Sequence, residues 1–531
     1  MKRFRYYLLN LLTPAFVFGS ITGVLTAFAV TLYKVAAGFV ISLSEKGYDL
    51  LREKTLYLIP VLLAAVGVSF FLAFLYRKIP NLKGGGIPTS IGILRGIITF
   101  KWLRNLIGIF ALSLITFLSG VPLGNEGPSV QMGTAIGRGT VYSFAKKNKA
   151  WDRYAMTGGA CAGFSVATGA PISGIMFALE EAHQRLSPMI IIVSATSVMF
   201  ASITSELLAP IFGVSVTLFP GFDPITLTLS EIWIPLVVGI AIGLFSVAFL
   251  YYYRATNYLF NKKLKKVPHS AKIFFVFAVT LFIGLLSPHF ISTGHDLILS
   301  LFDGEFAVYM LLLILLIRAT LTLSANTNKL TGGMFVPFLS LGAVLSAAVG
   351  KIIEALFPIS SEYYTVILIF GITACIASMM KTPITAIVFA IEALGCHNNI
   401  LYVILVSAVS FVICEMFGAK SVNDAVVEDR VEELNESKTS KVIDAYITVE
   451  KGAFAIGKQI RDIFWPANLF VLSVKHSAHH TAEVDEHGGK AIREGDTLHV
   501  RYSTFDEDAT REELTAIVGS LAKNEQIVTE V

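Results

Sequence analysis

Between residues 14 and 417 the chain alternates two kinds of apolar segment, and their lengths constrain what it can fold into. Stretches at about 14–43, 56–76, 101–120, 189–213, 231–252, 272–288, 307–324, 363–380 and 399–417 are apolar over spanning length, since a helix needs roughly 20 such residues to cross a hydrocarbon core of about 30 Å. Shorter apolar pieces lie between them at 87–94, 128–136, 172–181, 335–349 and 384–392, most of them opened or interrupted by glycine or proline. Helices that short cannot cross, and backbone broken at membrane depth is tolerated only where protein encloses it or it lines a polar cavity. The short pieces therefore read as half-helices meeting inside a bundle of longer ones, so the expected fold class is an all-α polytopic membrane protein with broken helices. Composition agrees: 15% of residues are charged and 54% hydrophobic, against about 25% charged in soluble domains.

Charge divides the chain near Lys420. Residues 421–531 hold 12 Lys and Arg against 21 Asp and Glu; of 42 and 38 in all, this leaves 30 basic and 17 acidic residues for the first 420. A basic, apolar part embedded in a lipid bilayer and an acidic, dissolved tail are expected. Lys2, Arg3 and Arg5 precede an apolar run reaching about Leu43, longer than a signal-peptide core, which predicts an uncleaved first span with its basic flank in the cytoplasm. Cys161, Cys375, Cys396 and Cys414 lie in hydrophobic surroundings with no CxxC pair, as expected of buried free thiols. No Walker lysine, HExxH or GxSxG motif is present; neither an enzyme, a cofactor, a metal site nor nucleic-acid binding is expected.

The chain contains an internal repeat. GAPISGIMFALEEAH from Gly169 aligns with KTPITAIVFAIEALG from Lys381, pairing Pro171 with Pro383, Phe177 with Phe389 and Glu180 with Glu392 at an offset of 212. GNEGPSVQMG from Gly124 aligns with GMFVPFLSLG from Gly333, pairing Pro128 with Pro337 and Gly133 with Gly342 at an offset of 209. Duplicated halves with interrupted helices in matching places point to a transporter whose site lies at the repeat interface.

Three glycine-rich elements precede prolines suited to a first helical turn: Gly84-Gly85-Gly86-Ile87-Pro88, Gly124-Asn125-Glu126-Gly127-Pro128 and Gly333-Met334-Phe335-Val336-Pro337. Such a start leaves backbone N–H groups unpaired at the positive end of the peptide dipoles. It binds an anion without a cationic side chain, and partial charges release a small anion more readily than a full ion pair would. The blander reading, glycines that merely let helices approach, accounts for one such motif more easily than for three.

GGGIP, GNEGP and GMFVP, followed by the paired glutamates of APISGIMFALEEA, resemble in order and spacing the GSGIP, GREGP and GxFxP signatures of the CLC chloride channels and transporters, over residues 14–428. The resemblance implies the CLC fold with inverted repeats, a homodimer, one anion pathway per subunit, and cytoplasmic N- and C-termini in a bacterial plasma membrane. It implies anion-binding positions at Gly85, Ile87, Gly127, Met334, Phe335 and Asn423. Glu126 matches the gating glutamate: ionised, it takes the place of an anion; protonated, it swings aside, linking proton transfer to anion passage. Carboxylates at membrane depth are costly and by default functional. Glu181 matches the internal glutamate that relays protons in the antiporters, which favours proton-coupled chloride antiport over a passive chloride channel. Glu180, whose repeat partner is Glu392 while that of Glu181 is Ala393, reads as the structural member. Three departures stand out: Gly85 replaces a serine, Asn125 an arginine and Asn423 a tyrosine. The first two are shared with the fluoride-exporting branch, which makes fluoride/proton antiport an alternative.

Strand-like alternation at Val442 to Val449, Leu469 to Val474 and Thr497 to Tyr502, with a short helix expected over Ile456 to Ile463, reads as a small α+β cytoplasmic domain over 441–531 behind a linker at 429–440. AIGKQIRDI, WPANLFVLSVKH and IREGDTLHV resemble the RCK_C (TrkA-C) domain of bacterial ion transporters. That resemblance implies a regulatory ligand sensor, cyclic di-AMP being the candidate ligand, with Arg461, His476, His479 and His480 as its contacts; the bland reading of these histidines is a solvated turn.

Overall fold

The computed structural model describes residues 12–519 and 525–530 apart from 85, 146–148, 303–305, 358–359, 361, 437 and 476–490. Among the described residues, eight helices are long and apolar enough to cross a membrane. They include Thr13–Glu53, Pro188–Phe212, Val308–Thr327 and Phe335–Leu356. The first has 41 residues, about 60 Å at 1.5 Å per residue, so it outruns the bilayer core and ends beyond the predicted 14–43. The apolar run at 363–380 is a core helix rather than a lipid-facing span: Tyr363–Met379 is buried at every position from Val366 to Met379, as expected of a helix hydrophobic all round. The lipid side is supplied by side chains such as Leu63, Phe70 and Phe74, which stay exposed. All four cysteines are free and buried.

The repeat seen in the sequence is a repeat of contacts. Gly133 packs on Gly159, where a Cβ on either would overlap the other's carbonyl, and Gly342 packs on Gly371 in the same way in the second half. Close approach of small residues is how helices pack without a hydrophobic driving force between them. Repeat-related Gly124 and Gly333 form an antiparallel bridge, each N–H donating to the other's carbonyl at 2.7 and 2.8 Å. Glu180 accepts from Ile384 N, Thr385 N and Thr385 Oγ1 at 2.9, 2.7 and 2.7 Å, while Glu392 accepts from Ile172 N, Ser173 N and Ser173 Oγ, each at 2.8 Å. Each glutamate thus caps the other half's short helix, the reciprocal pattern of a two-fold axis.

The tail is a four-stranded antiparallel sheet of order β2-β3-β1-β4, with β1 Lys441–Thr448, β2 Leu469–Lys475, β3 Thr497–Thr504 and β4 Glu525–Glu530. Inward Ile443, Ala445, Ile447, Leu498 and Val500 meet Leu514, Ile517 and Val518 of the helix Glu507–Val518. Two expectations are corrected. The helix Val422–Asn435 runs through the first half of the stretch read as a linker. The expected helix at 456–463 is instead a chain of turns with one 3-10 turn at Ile460–Asp462, because Gly457 takes φ +77° and bonds to Ile492 O.

Candidate anion and proton site

The three glycine-rich elements converge. A Cβ on Gly127 would lie 2.6 Å from Gly333 Cα and 3.0 Å from Gly86 Cα, so only glycine permits the junction. From it start the helices Ile87–Leu94, Glu126–Phe144 and Phe335–Leu356, none with a side-chain cap. Their first residues, Ile87, Glu126 and Phe335, and the preceding Met334 are buried. The first N–H groups of a helix have no partner within it, and a buried start without caps needs one from elsewhere. Gly86, at φ +94°, turns its own N–H aside to Gln131 Oε1 at 2.6 Å. Ile87, Gly127, Met334 and Phe335 are therefore placed together at this junction; Gly85 lies outside the described residues.

Glu126 belongs to this junction. It is 1% exposed, its carboxylate folds back over Gly124, and the carboxylate interacts with the backbone N–H groups of Glu126 itself and of Val336. Its Oε2 is buried and finds no partner among the described residues. A carboxylate among helix N-termini stands where an anion would. Sequence reasoning missed Val336, and also Lys34 and the imidazole of His295, which interact with the Glu126 carboxylate. Lys34 Nζ is held by Val166 O and Ser215 O at 3.2 and 2.9 Å, and His295 lies against Leu218 O at 2.7 Å.

Glu181 occupies a second buried position. The chain leaves α-helical geometry after Phe177 for a π-helical segment, Ala178–Ala182, a local widening frequent at functional sites. Glu181 is turned inward, 3% exposed, with Oε2 buried and without a partner among the described residues, whereas Glu180 caps the other half's helix. Asn423 was expected at the anion site; its Nδ2 instead donates to Glu181 Oε1 at 2.5 Å. Arg95, unmarked in the sequence, fixes this joint: its Nε and Nη2 donate to the carbonyls of Ala182 and Glu181, both at 2.9 Å, and its Nη1 to Asp424 Oδ1 at 2.8 Å.

The voltage gated chloride channel family matches over residues 65–415. The chain belongs to that family. The H(+)/Cl(-) exchange transporter ClcA of Vibrio cholerae serotype O1 is 29% identical over 414 residues, 76% of this chain and 86% of the relative. That of Klebsiella pneumoniae is 27% identical over 394 residues, 73% and 82% of the two chains. The structure of a slow cyanobacterial Cl-/H+ antiporter aligns with TM-score 0.70 and 25% identity, covering 80% of this chain and 98% of the other. A CLC-type fluoride/proton antiporter shares the fold at TM-score 0.64 and 20% identity, covering 76% and 96%. Members of this family are transporters rather than enzymes, and the mostly helical fold with a small strand-containing tail is that of a multi-pass membrane protein.

The tail packs beneath the Glu181 segment. Phe464, 5% exposed, inserts between Tyr154 and His183, with ring centroids 4.4 and 4.5 Å away, and beneath the guanidinium groups of Arg185 and Arg153 at 4.6 and 5.0 Å. Tyr154 Oη donates to Asp462 O at 2.5 Å, and Arg153 joins Trp465 O at 2.5 Å to Leu94 O at 2.8 Å. Leu94 ends the helix that begins at the glycine junction, and His183 follows Glu181 by two residues. Arg461 is held by Gln459 Oε1 at 2.7 Å; His476, His479 and His480 lie outside the described residues.

Proposed function

We propose that the protein exchanges chloride for protons across a cell membrane, with Glu126 as the group that meets both ions. One observation carries the reading: a buried carboxylate, one oxygen of which finds no partner among the described residues, stands among three buried, uncapped helix N-termini. An anion satisfies those N–H groups when Glu126 is absent, and Glu126 satisfies them when the anion is absent, so each displaces the other. Glu181 is the second proton-handling carboxylate, and Ile87, Gly127, Met334 and Phe335 supply the anion-facing backbone. The names of the relatives support chloride and protons as the pair exchanged. The missing hydroxyl and arginine at Gly85 and Asn125 favour fluoride as the second reading.

The test is purified protein in liposomes with chloride, fluoride and proton movement followed together. An imposed chloride gradient drives protons uphill in the wild type; a passive channel moves none. Glu126→Gln abolishes the proton movement. We further propose that the tail regulates transport as an RCK_C-type domain in a homodimer with cytoplasmic termini. The seat of Phe464 against His183 supports that coupling, and addition of cyclic di-AMP to the same liposomes tests it.

A further inference from the structure

The side chain of Asn423 points at the internal carboxylate. We propose that Asn423 is a positioning residue for proton transfer: its Nδ2 ties down Oε1 of Glu181 and leaves Oε2 as the oxygen that takes and gives up the proton. This deepens the antiport reading and rests on it.

Both residues are enclosed, at 3% exposure each, and the donor–acceptor distance is 2.5 Å. An amide nitrogen only donates and a carboxylate only accepts, so the contact favours the ionised form and marks Oε1 as the occupied oxygen. Glu181 Oε2 is buried and finds no partner among the described residues. A buried acceptor left unmade is costly, and a proton arriving there removes the charge. The joint is rigid on both sides. Asp424, next in sequence, bonds to Arg95, which also holds the Glu181 and Ala182 carbonyls. Ser421 caps the helix carrying Asn423 by accepting from Asp424 N at 2.9 Å. The amide can thus hold its grip through a proton cycle without backbone movement.

Reconstituted full-length protein tests this with Asn423→Leu, Asn423→Gln, Glu181→Gln and the Asn423→Leu/Glu181→Gln pair. In Asn423→Leu, proton flux at neutral pH falls about tenfold, the rate equivalent of about 1.4 kcal/mol. The pH of half-maximal proton flux also moves alkaline, while chloride affinity by calorimetry stays near the wild-type value. Asn423→Gln, which keeps an amide donor, recovers part of the proton flux. In the Glu181→Gln background Asn423→Leu adds no further loss, since residues acting through one contact are non-additive. Equal losses in both backgrounds overturn the proposal. So does a chloride affinity that falls in step with proton flux, which would put the second Nδ2 hydrogen on the anion. If the wild type moves chloride but never protons uphill, it is the antiport reading that fails. A normal elution profile for each variant separates these outcomes from misfolding.

Discussion

Truncating Phe464 to alanine separates the tail from the membrane part without unfolding either. The ring is 5% exposed, and two rings and two guanidinium groups surround it within 4.4–5.0 Å. Phe→Ala in a close-packed site costs about 3–5 kcal/mol, a figure that already contains the cation–π contribution. Because the ring joins two units rather than filling the tail's own core, the loss falls on the docking equilibrium. Taking about 3 kcal/mol at 1.4 per decade, the docked fraction falls relative to the undocked one by more than about 100-fold. What remains includes the hydrogen bonds of Tyr154 to Asp462 O, Arg153 to Trp465 O, Arg185 to Ile463 O and Ser187 to Asp462 Oδ1, the packing of Phe454 on Trp151 and Tyr154, and the Lys149–Glu512 ion pair; the last is exposed and weak. Hydrogen–deuterium exchange reads the outcome: peptides over 460–466 and 149–157 lose protection, while a peptide over Ile443 to Ile447 in β1 keeps it. Coupled transport departs from the wild-type rate with no ligand added. Unchanged protection at 460–466 refutes the docking argument. Loss at 443–447 as well refutes the claim that Phe464 lies outside the tail's core.

The two paired glutamates give opposite phenotypes. Glu180→Ala removes a cap made of three hydrogen bonds and lowers thermal stability by about 1–2 kcal/mol, leaving the proton-to-chloride ratio intact, whereas Glu181→Gln changes the ratio; melting curves and liposome flux measure both. Gly127→Ala places a Cβ 2.6 Å from Gly333 Cα and is expected to abolish anion transport, read as chloride efflux from liposomes. The tail becomes more stable with rising pH because of Lys458. Burial lowers this amine from 10.5 to about 8. The folded value lies below the unfolded one, so the fold is penalised while the amine is charged, and the penalty lifts as pH rises through about 8 towards 10.5. Its ceiling is about 3 kcal/mol at 1.36 per unit, reduced by the Phe454 carbonyl and ring that the ammonium touches at 2.5 and 3.8 Å. Lys458→Met raises the tail's melting temperature at pH 7 and flattens its pH dependence; an unchanged melting temperature sinks the assignment.

Much of this arrangement was legible because membranes and glycines leave strong local signals. Segment length separated spanning helices from half-helices only in part, since the piece at 335–349 belongs to Phe335–Leu356, long and apolar enough to cross, while 363–380 is a shorter core helix; three glycine–proline elements marked Ile87, Gly127, Met334 and Phe335. The helix Glu507–Val518 was capped legibly, Asp506 accepting from Ala509 N at 3.1 Å, yet its low overall apolar content hid it beside the stronger alternation of the strands. Arg95, Tyr154 and Phe464 were not legible, since each acts across more than 80 residues of sequence and no local pattern announces a partner that distant. Asn423 was only half legible: its position in GAKSVNDAV suggested the anion, and only the docking of its helix onto the Glu181 segment brings its Nδ2 to Glu181 Oε1.

The repeat itself shows where function departs from scaffold. Where the two halves agree, as in Gly133 with Gly342, Gly159 with Gly371 and Glu180 with Glu392, the contacts are structural and reciprocal. Where they disagree, one half carries an ionisable group the other lacks: Glu126 opposes Phe335, and Glu181 opposes Ala393. The backbone differs at the second of these places as well. Pro383–Glu392 stays α-helical to its end, while its counterpart widens into a π-helical turn at Ala178. An inserted widening rotates the following side chains relative to a regular helix. That rotation lets adjacent glutamates face opposite ways, Glu180 to the other half's helix start and Glu181 to Asn423. Restoring regular α-helical geometry by deleting one residue of the widened turn, Leu179, is therefore expected to misdirect both glutamates, lowering stability and proton flux together. Glu180→Ala or Glu181→Gln alone moves only one of the two, and a deletion that leaves proton flux intact would show that the turn does not set the direction of Glu181.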